Sequence, residues 1–260
     1  MNASASTVVF TCEHGGNGVP GEYAAVFRSQ RAQQQLRSHV GYDIGALDLA
    51  RQLATAFEAP LLIATVTRLL IDLNRAATNP SAFSAFSRRL PASVRQRLID
   101  EIHVPYRTRV VDVLRKALVS ELHVYHVAVH SFTPRWRGAE RMVDIGLLYD
   151  PSRSSERKLC AAWKDELRAA WPELRVRRNF PYRGTTDGMP TWLRRTLDAT
   201  RYSGVELEVN QRLLRSASTD VAHVLSISLS RCLDRLFGPD QRTEASLRTS
   251  AEAVSRPSAK

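Results

Sequence analysis

The sequence predicts a single α/β domain built on a central mixed or mostly parallel β-sheet. Two observations carry that expectation. Segments with strand patterning alternate with segments of helical periodicity along nearly the whole chain, the order from which sheets flanked by helices are made. The strand-like runs are nearly continuous in apolar and β-branched residues, as strands buried on both faces are. With 260 residues and a hydrophobic fraction of 43%, the chain has enough apolar material for a sizeable core. The expected domain covers residues 1–238, and residues 239–260, made largely of Ser, Arg, Ala and Glu, read as a mobile tail.

Taken in order, Thr7 to Cys12 is the first strand, and it breaks into the polar, glycine-rich turn Glu13-His14-Gly15-Gly16-Asn17. A short helical piece follows near Tyr23 to Phe27. Ile44, Leu47, Leu49, Ala50, Leu53 and Phe57 recur at helical spacing, with Asp43 placed to cap that helix. Pro60 to Thr65 and Leu69 to Leu73 are the next strand-like runs, the second ending in Asn74-Arg75. Residues 76–90, with Pro80 and repeated serines, read as a surface loop. Pro91 to Leu118 is a long helical stretch interrupted at Pro105. Leu122 to His130 and Ile145 to Tyr149 are strands, Ser154 to Ala170 a helix, and Leu174 to Val176 a short strand. After the Gly-, Pro- and Thr-rich loop Asn179 to Pro190 come a helix (Thr191 to Ala199), a strand (Gly204 to Val209) and a last helix (Asp220 to Phe237).

Composition narrows the function classes. The chain has 37 basic and 26 acidic residues, a formal net charge of +11, but the arginines are dispersed. Nucleic-acid binding calls for a concentrated basic stripe, so no nucleic-acid partner is expected; a surface that attracts small anions is. Cys12, Cys160 and Cys232 form no CxxC pair, which argues against a disulfide framework or a zinc knuckle. Met1 to Ser6 lacks the charged and apolar regions of a leader, and no run approaches the ~20 apolar residues that span a bilayer. A soluble, cytoplasmic protein without a membrane partner is expected, with its oligomeric state left open.

The candidate chemistry lies where polar residues end apolar runs: His14, Asn74-Arg75, His130 and Glu208. In open α/β sheets the C-terminal edge of the strands is where ligands bind. His14 reads as the first ligand of a catalytic zinc ion. Alternation puts His126 and His130 on one face of their strand and His123 on the other. His126 reads as a buried, hydrogen-bonded histidine, and His130 emerges at the edge as a second ligand. A hydrolytic zinc ion takes three protein ligands and leaves one position open, so a carboxylate is needed from Glu13, Asp43 or Asp144. Glu13 alternates away from His14, and Asp43 sits at a helix start. Glu206 and Glu208 share a strand face; Glu208, nearer the end, is the candidate general base, with Glu206 as its partner. Arg75 suits bidentate capture of a carboxylate, and Arg68, Arg141 and Arg183 are weaker candidates of the same kind.

These residues fall in blocks that resemble the N-formylglutamate amidohydrolase family. The blocks are Thr11-Cys12-Glu13-His14-Gly15-Gly16-Asn17-Gly18-Val19-Pro20, Tyr42-Asp43-Ile44-Gly45-Ala46 and Arg68-Leu69-Leu70-Ile71-Asp72-Leu73-Asn74-Arg75. His103-Val104-Pro105-Tyr106, Val129-His130-Ser131-Phe132-Thr133-Pro134 and Asp144-Ile145-Gly146-Leu147-Leu148-Tyr149 continue the match, as do Asn179-Phe180-Pro181-Tyr182 and Glu206-Leu207-Glu208-Val209. The resemblance implies a zinc-carboxypeptidase-like (phosphorylase/hydrolase-like) fold, with a mixed sheet and helices on both faces. It implies one Zn2+ held by His14 and His130. Relatives of the family usually carry a glutamate three residues after the first histidine, where this chain has Asn17; Asp43 is the replacement expected here. By analogy Asn74 and Arg75 hold the substrate's carboxylate, Glu208 moves the proton, and Arg68 stabilises the oxyanion. The implied reaction is hydrolysis of the N-formyl or N-acyl amide of a small anionic amino acid such as N-formylglutamate. Alternatives are a zinc peptidase or deacylase acting on another N-acyl amino acid or small peptide, and a non-catalytic binding relative that keeps the fold. Metal content together with activity separates the last from the others.

Overall fold

The computed structural model describes residues 6–237, so the tail expected over 239–260 lies outside the described residues. β1 (Ser6–Cys12) leads through a 3-10 turn (Gly21–Phe27) to α1 (Gln30–Leu36), α2 (Ala46–Ala56) and β2 (Leu61–Ile63). A long, largely irregular segment precedes α3 (Ala92–Leu98), a π-helical turn (Ile99–His103) and α4 (Val104–Ser120). Next come β3 (His123–Phe132), the hairpin of β4 (Arg135–Trp136) and β5 (Ala139–Glu140), β6 (Ile145–Leu148), α5 (Ser154–Ala170) and β7 (Val176–Arg178). The described chain is completed by α6 (Met189–Thr196), β8 (Tyr202–Asn210), α7 (Gln211–Ser216) and α8 (Ser218–Phe237).

The strands other than the β4–β5 hairpin form one six-stranded sheet in the order β2-β1-β3-β8-β6-β7. β2, β1, β3 and β8 are parallel; β6 runs antiparallel to β8, and β7 is parallel to β6. The sheet is therefore mixed and mostly parallel. Its central strands are covered on both sides: every residue of β8 is buried, and every residue of β3 except His123. The period-2 alternation of the strands divides their side chains between two cores. On one face Phe10, Val127, Val129 and Leu207 pack with Leu53 of α2, Trp163 of α5 and Leu225 of α8. On the other, Val9 and Val124 pack with Val110 of α4 and Leu193 of α6. Each large side chain so buried contributes roughly 1.5–3 kcal/mol. The indole N–H of Trp163, fully enclosed, donates to Ser228 Oγ at 3.0 Å, so this aromatic carries no unsatisfied donor.

Several local expectations change. Leu69 to Leu73 is not a strand but a buried turn, its apolar side chains filling the second core. A run this short signals burial without distinguishing strand from loop. The helix over 92–120 is interrupted by the π turn just ahead of Pro105, which then occupies the first turn of α4, where its missing N–H is harmless. Asp43 does not cap α2: Gly45, with φ of 81° in the left-handed region, is the N-cap and no side chain bonds there. α1 has only Ala32 and Leu36 buried, and its start is held by Ser29 Oγ, which accepts from Ala32 N at 3.2 Å. No helix among the described residues is long and apolar enough to cross a membrane.

Gly146 of β6 pairs with Glu208 and lies under the segment after β7; a Cβ built there would come within 2.1 Å of Phe180 O. Gly146→Ala is therefore expected to destabilise the fold by on the order of 1–3 kcal/mol through overpacking. The midpoint of denaturant unfolding checks this; an unchanged midpoint means the Phe180 segment moves aside freely.

Candidate active site

Parallel β1, β3 and β8 deliver their C-terminal ends to the same edge of the sheet. On the face that carries α4 and α6, the alternation that buries Val9 and Val124 also places Thr11, His126, His130, Glu206 and Glu208. His130 and Glu208 are direct cross-strand neighbours. Beyond β1 the chain stays beside the strand that follows it, with Gly15 N donating to Ala64 O at 3.0 Å. A Cβ on Gly16 would meet Thr65 O at 2.6 Å, so only glycine lets the turn lie this close. Asp43 is brought in by the backbone, its N–H donating to His14 O at 2.9 Å.

The two imidazoles converge on one carboxylate. Asp43 Oδ2 lies 2.9 Å from His130 Nδ1 and 3.5 Å from His14 Nδ1. Each ring is met at its far nitrogen by another acid. His14 Nε2 donates to Asp72 Oδ1 at 2.7 Å. His130 Nε2 stands 3.3 Å from Glu13 Oε2, within ion-pair distance though without hydrogen-bond geometry. Tyr106 OH donates to the other oxygen of Glu13 at 3.3 Å. Arg68 Nη2 donates to Asp43 Oδ1 and, at 3.0 Å, to His39 O.

The electrostatics follow from these contacts. Burial raises the acids, but the neighbouring cations outweigh it: His130 brings Glu13 down to about 2. Arg68 and His14 hold Asp43, and His14 holds Asp72, well below the usual carboxylate range. Burial lowers the imidazoles, and their acidic partners reverse it, so His14 and His130 are both raised. His126 is the contrast. It is fully buried between Thr11 Oγ1 and Tyr202 OH, each at 2.8 Å, and burial brings it down to about 4. It is a neutral core histidine.

His14, Asp43 and His130 are a buried group that could hold one metal ion, their ligand atoms all within 4.8 Å of one another. Three observations test the fit. His14 Nδ1 is buried with no hydrogen-bond partner among the described residues, and it faces Asp43. The separations of 2.9 and 3.5 Å from Asp43 Oδ2 bracket the roughly 3.3 Å between donors of a tetrahedral zinc site with ~2.0–2.1 Å bonds. With the two rings neutral, as metal ligands are, the buried carboxylates of Glu13, Asp43, Asp72 and Glu206 outnumber the Arg68 guanidinium beside them, a surplus of negative charge that a divalent cation offsets. The Asp72–His14 and Glu13–His130 contacts are the outer partners that fix the ring orientation of ligating histidines.

This group forms the floor of a cleft of about 610 Å³, lined also by Arg68, Asn74, Arg75, Arg183, Glu206 and Glu208. Burial pushes the Glu208 carboxyl up to about 8; His130 opposes the shift, and the Asp43 and Glu206 carboxylates reinforce it. Glu208 Oε2 is buried without a partner among the described residues. Glu206 Oε1 accepts from Asn74 Nδ2 at 3.2 Å, while Asn74 Oδ1 accepts from Met189 N. The Asn74 amide is thus committed to the protein at both ends. Arg75 Nε lies 3.4 Å from Asp72 Oδ2. The Arg183 side chain lines the cleft with no hydrogen bond or ion pair among the described residues.

Two sequence candidates are corrected. Arg141 is not among the cleft-lining residues; its guanidinium lies over the rings of Trp136, Tyr182 and Phe132, at 5.3, 5.3 and 5.5 Å, and bonds Tyr182 OH. Those three rings line the cleft, so Arg141 stands behind its wall rather than in it. Asp144 is ruled out as a third ligand because Arg175 and Arg212 hold it, at 3.0 and 2.6 Å. Asn17 is no ligand either, since its Nδ2 donates to Leu36 O at 3.0 Å. Asp72, given no role from the sequence, and Glu13, weighed there only as a candidate metal ligand, are the partners of the two rings. Glu13 was visible in the alternation itself, which turns it away from His14 and toward the face His130 occupies.

The N-formylglutamate amidohydrolase family model matches residues 6–215. The chain is similar to the crystal structure of a gene product from Agrobacterium tumefaciens, with 28% identity and a TM-score of 0.77 over 88% of this chain and 91% of that one. It is also similar in fold to N-formylglutamate amidohydrolase from Ralstonia eutropha JMP134, with 19% identity and a TM-score of 0.71 over 90% of this chain and 95% of that one. Comparison with curated proteins returns no match.

The contacts separate three acids experimentally. Asp43→Ala is expected to abolish stoichiometric metal binding, and Asp72→Asn to weaken it by about 10–100-fold. Asp144→Ala should keep the metal yet lose roughly 1.5–3 kcal/mol of stability with its charged hydrogen bonds. Elemental analysis and denaturant unfolding read the two effects; metal loss in Asp144→Ala would return that residue to the ligand set.

Proposed function

The chain belongs to the N-formylglutamate amidohydrolase family, and from that premise and the cleft geometry we propose that it hydrolyses the N-formyl, or another short N-acyl, amide of an amino acid with one zinc ion. The observation that carries the reading is the convergence of His14 Nδ1 and His130 Nδ1 on Asp43 beside the buried Glu208 carboxyl. Zinc is the metal chosen because two imidazoles and a carboxylate suit it. When bound, it supplies Lewis-acid polarisation of the acyl carbonyl and a lowered pKa for a water at its open position.

The residues then have distinct tasks. Asp72 and Glu13 keep the His14 and His130 rings turned so that both Nδ1 atoms point toward Asp43, with which they would hold the ion. Glu208, which the charge of a neighbouring cation would keep ionised, takes a proton from the attacking water and delivers it to the leaving amide nitrogen. A C–O bond forms as the C–N bond breaks, releasing formate, or the corresponding acid, and the free amino acid. Glu206, held by Asn74, sits beside Glu208 and supports its high proton affinity. Arg68 lines the cleft next to Asp43 and stabilises the developing oxyanion. Arg183, whose guanidinium has no protein partner among the described residues, and Arg75 receive the carboxylates of the substrate. Asn74, with its amide engaged by Glu206 and Met189, orients Glu206, the neighbour of the base, rather than the substrate.

A panel of N-formyl and N-acetyl amino acids and a small peptide, assayed with zinc-loaded protein, tests the proposal. N-formyl substrates bearing a second carboxylate are expected to give the highest kcat/KM; no amide hydrolysis across the panel overturns the reading. Glu208→Gln should retain zinc and lose about 10²–10⁴-fold in kcat. Arg183→Ala should raise KM by on the order of tenfold, as for a lost charged hydrogen bond, with kcat little changed.

A further inference from the structure

Three consecutive carbonyls in the cleft wall are met by side chains from the π turn and the helix it opens. Arg107 Nε donates to Leu73 O at 3.3 Å and Arg107 Nη2 to Asn74 O at 3.1 Å. His103 Nε2 donates to Arg75 O at 2.8 Å. Both side chains are buried, and neither lines the cleft. The guanidinium of Arg107 is braced on its other side by the ring of Trp192 in α6, 4.6 Å away. The segment they hold belongs to no strand or helix, so its backbone depends on side chains for partners. Asp72 Oδ1 accepts from Asn74 N at 3.0 Å, and Asp187 Oδ2 accepts from Ala76 N at 3.0 Å and Asn79 Nδ2 at 2.6 Å. His103 serves here at a cost, because its Nδ1 is buried without a partner among the described residues.

We propose that His103 and Arg107 are positioning residues for the reaction, fixing the Leu73–Arg75 backbone so that Asn74 meets Glu206 and Arg75 faces the cleft. The inference rests on the reading of the cleft as the site of amide hydrolysis. The π turn is what allows it. It places His103 one turn before Arg107 on the side of the helix that faces the 72–79 segment, so two donors reach a backbone that offers three acceptors in a row. Neither residue touches the floor of the site, so their effect is confined to where the wall stands.

The test compares His103→Phe and Arg107→Met with His103→Gln, which keeps a donor near the position of Nε2. In the first two, KM for the best panel substrate is expected to rise by about 10–100-fold, the scale of a misplaced contact. Zinc content should stay at one per chain, and His103→Gln should recover to within about threefold of the parent. Values of KM within twofold of the parent in both variants overturn the proposal. So does a loss of zinc and melting temperature that the Gln variant fails to restore, since the role is then structural only. Amide hydrogen exchange over residues 74–79 gives a readout independent of turnover: faster exchange confined to that segment in His103→Phe supports the proposal, and unchanged exchange overturns it. If the parent hydrolyses nothing in the panel, the functional reading fails, while the exchange result still decides the positioning role.

Discussion

The carboxylate of Asp43, out of water and touching two imidazoles and a guanidinium, sets the terms for the groups around it. A charge removed from solvent must be paired or it is costly, and here the pairing extends outward in layers. His14 and His130 balance Asp43; Asp72 and Glu13 then balance the rings from behind; Tyr106 supports Glu13 from α4. Removing any one member leaves another buried charge exposed to the protein alone. The rings are thereby held by contacts made before any ion arrives, which lowers the reorganisation needed on binding.

Strand parity decides which side of the sheet this happens on. Because β1, β3 and β8 are parallel and in register, one face collects Thr11, His126, His130, Glu206 and Glu208 while the other is mainly apolar, with Ser131 and Ser203 as its buried polar residues. The apolar face, packed against α2, α5 and α8, anchors the sheet. The polar face is dry near its middle, where His126 bridges Thr11 and Tyr202, and opens to the cleft only at the strand ends. The candidate site therefore shares its face with the second core, which fills the middle of the strands, and leaves the first core on the opposite face.

The parts of this arrangement that were legible from the residues alone are those governed by short-range periodicity. The alternation in Leu122 to His130 and Gly204 to Val209 correctly assigned faces to His126, His130, Glu206 and Glu208. What failed were features settled by contacts distant in sequence. The cap role expected of Asp43 was one, because Asp commonly caps a helix; its partners come instead from residues 14, 68 and 130, in the grouping with His14 and His130 that was expected of it as a ligand. Leu69 to Leu73 has a strand's composition but fills a core as a turn. Arg141 carries the same charge as Arg183, and only the aromatic rings around it distinguish their situations. The β4–β5 hairpin and α7 are too short for a periodic signal.

At Gly146 the missing side chain leaves room for a carbonyl from the segment after β7, so that this main chain lies directly on the sheet beside Glu208. A boundary of that kind holds its contour whichever residues it bears. Tyr182 and Arg183 line the cleft from this segment, so exchanging them would change the lining of the cleft while the sheet beneath Glu208 stays where it is. Selectivity and reactivity can in this way diverge independently on the same chain.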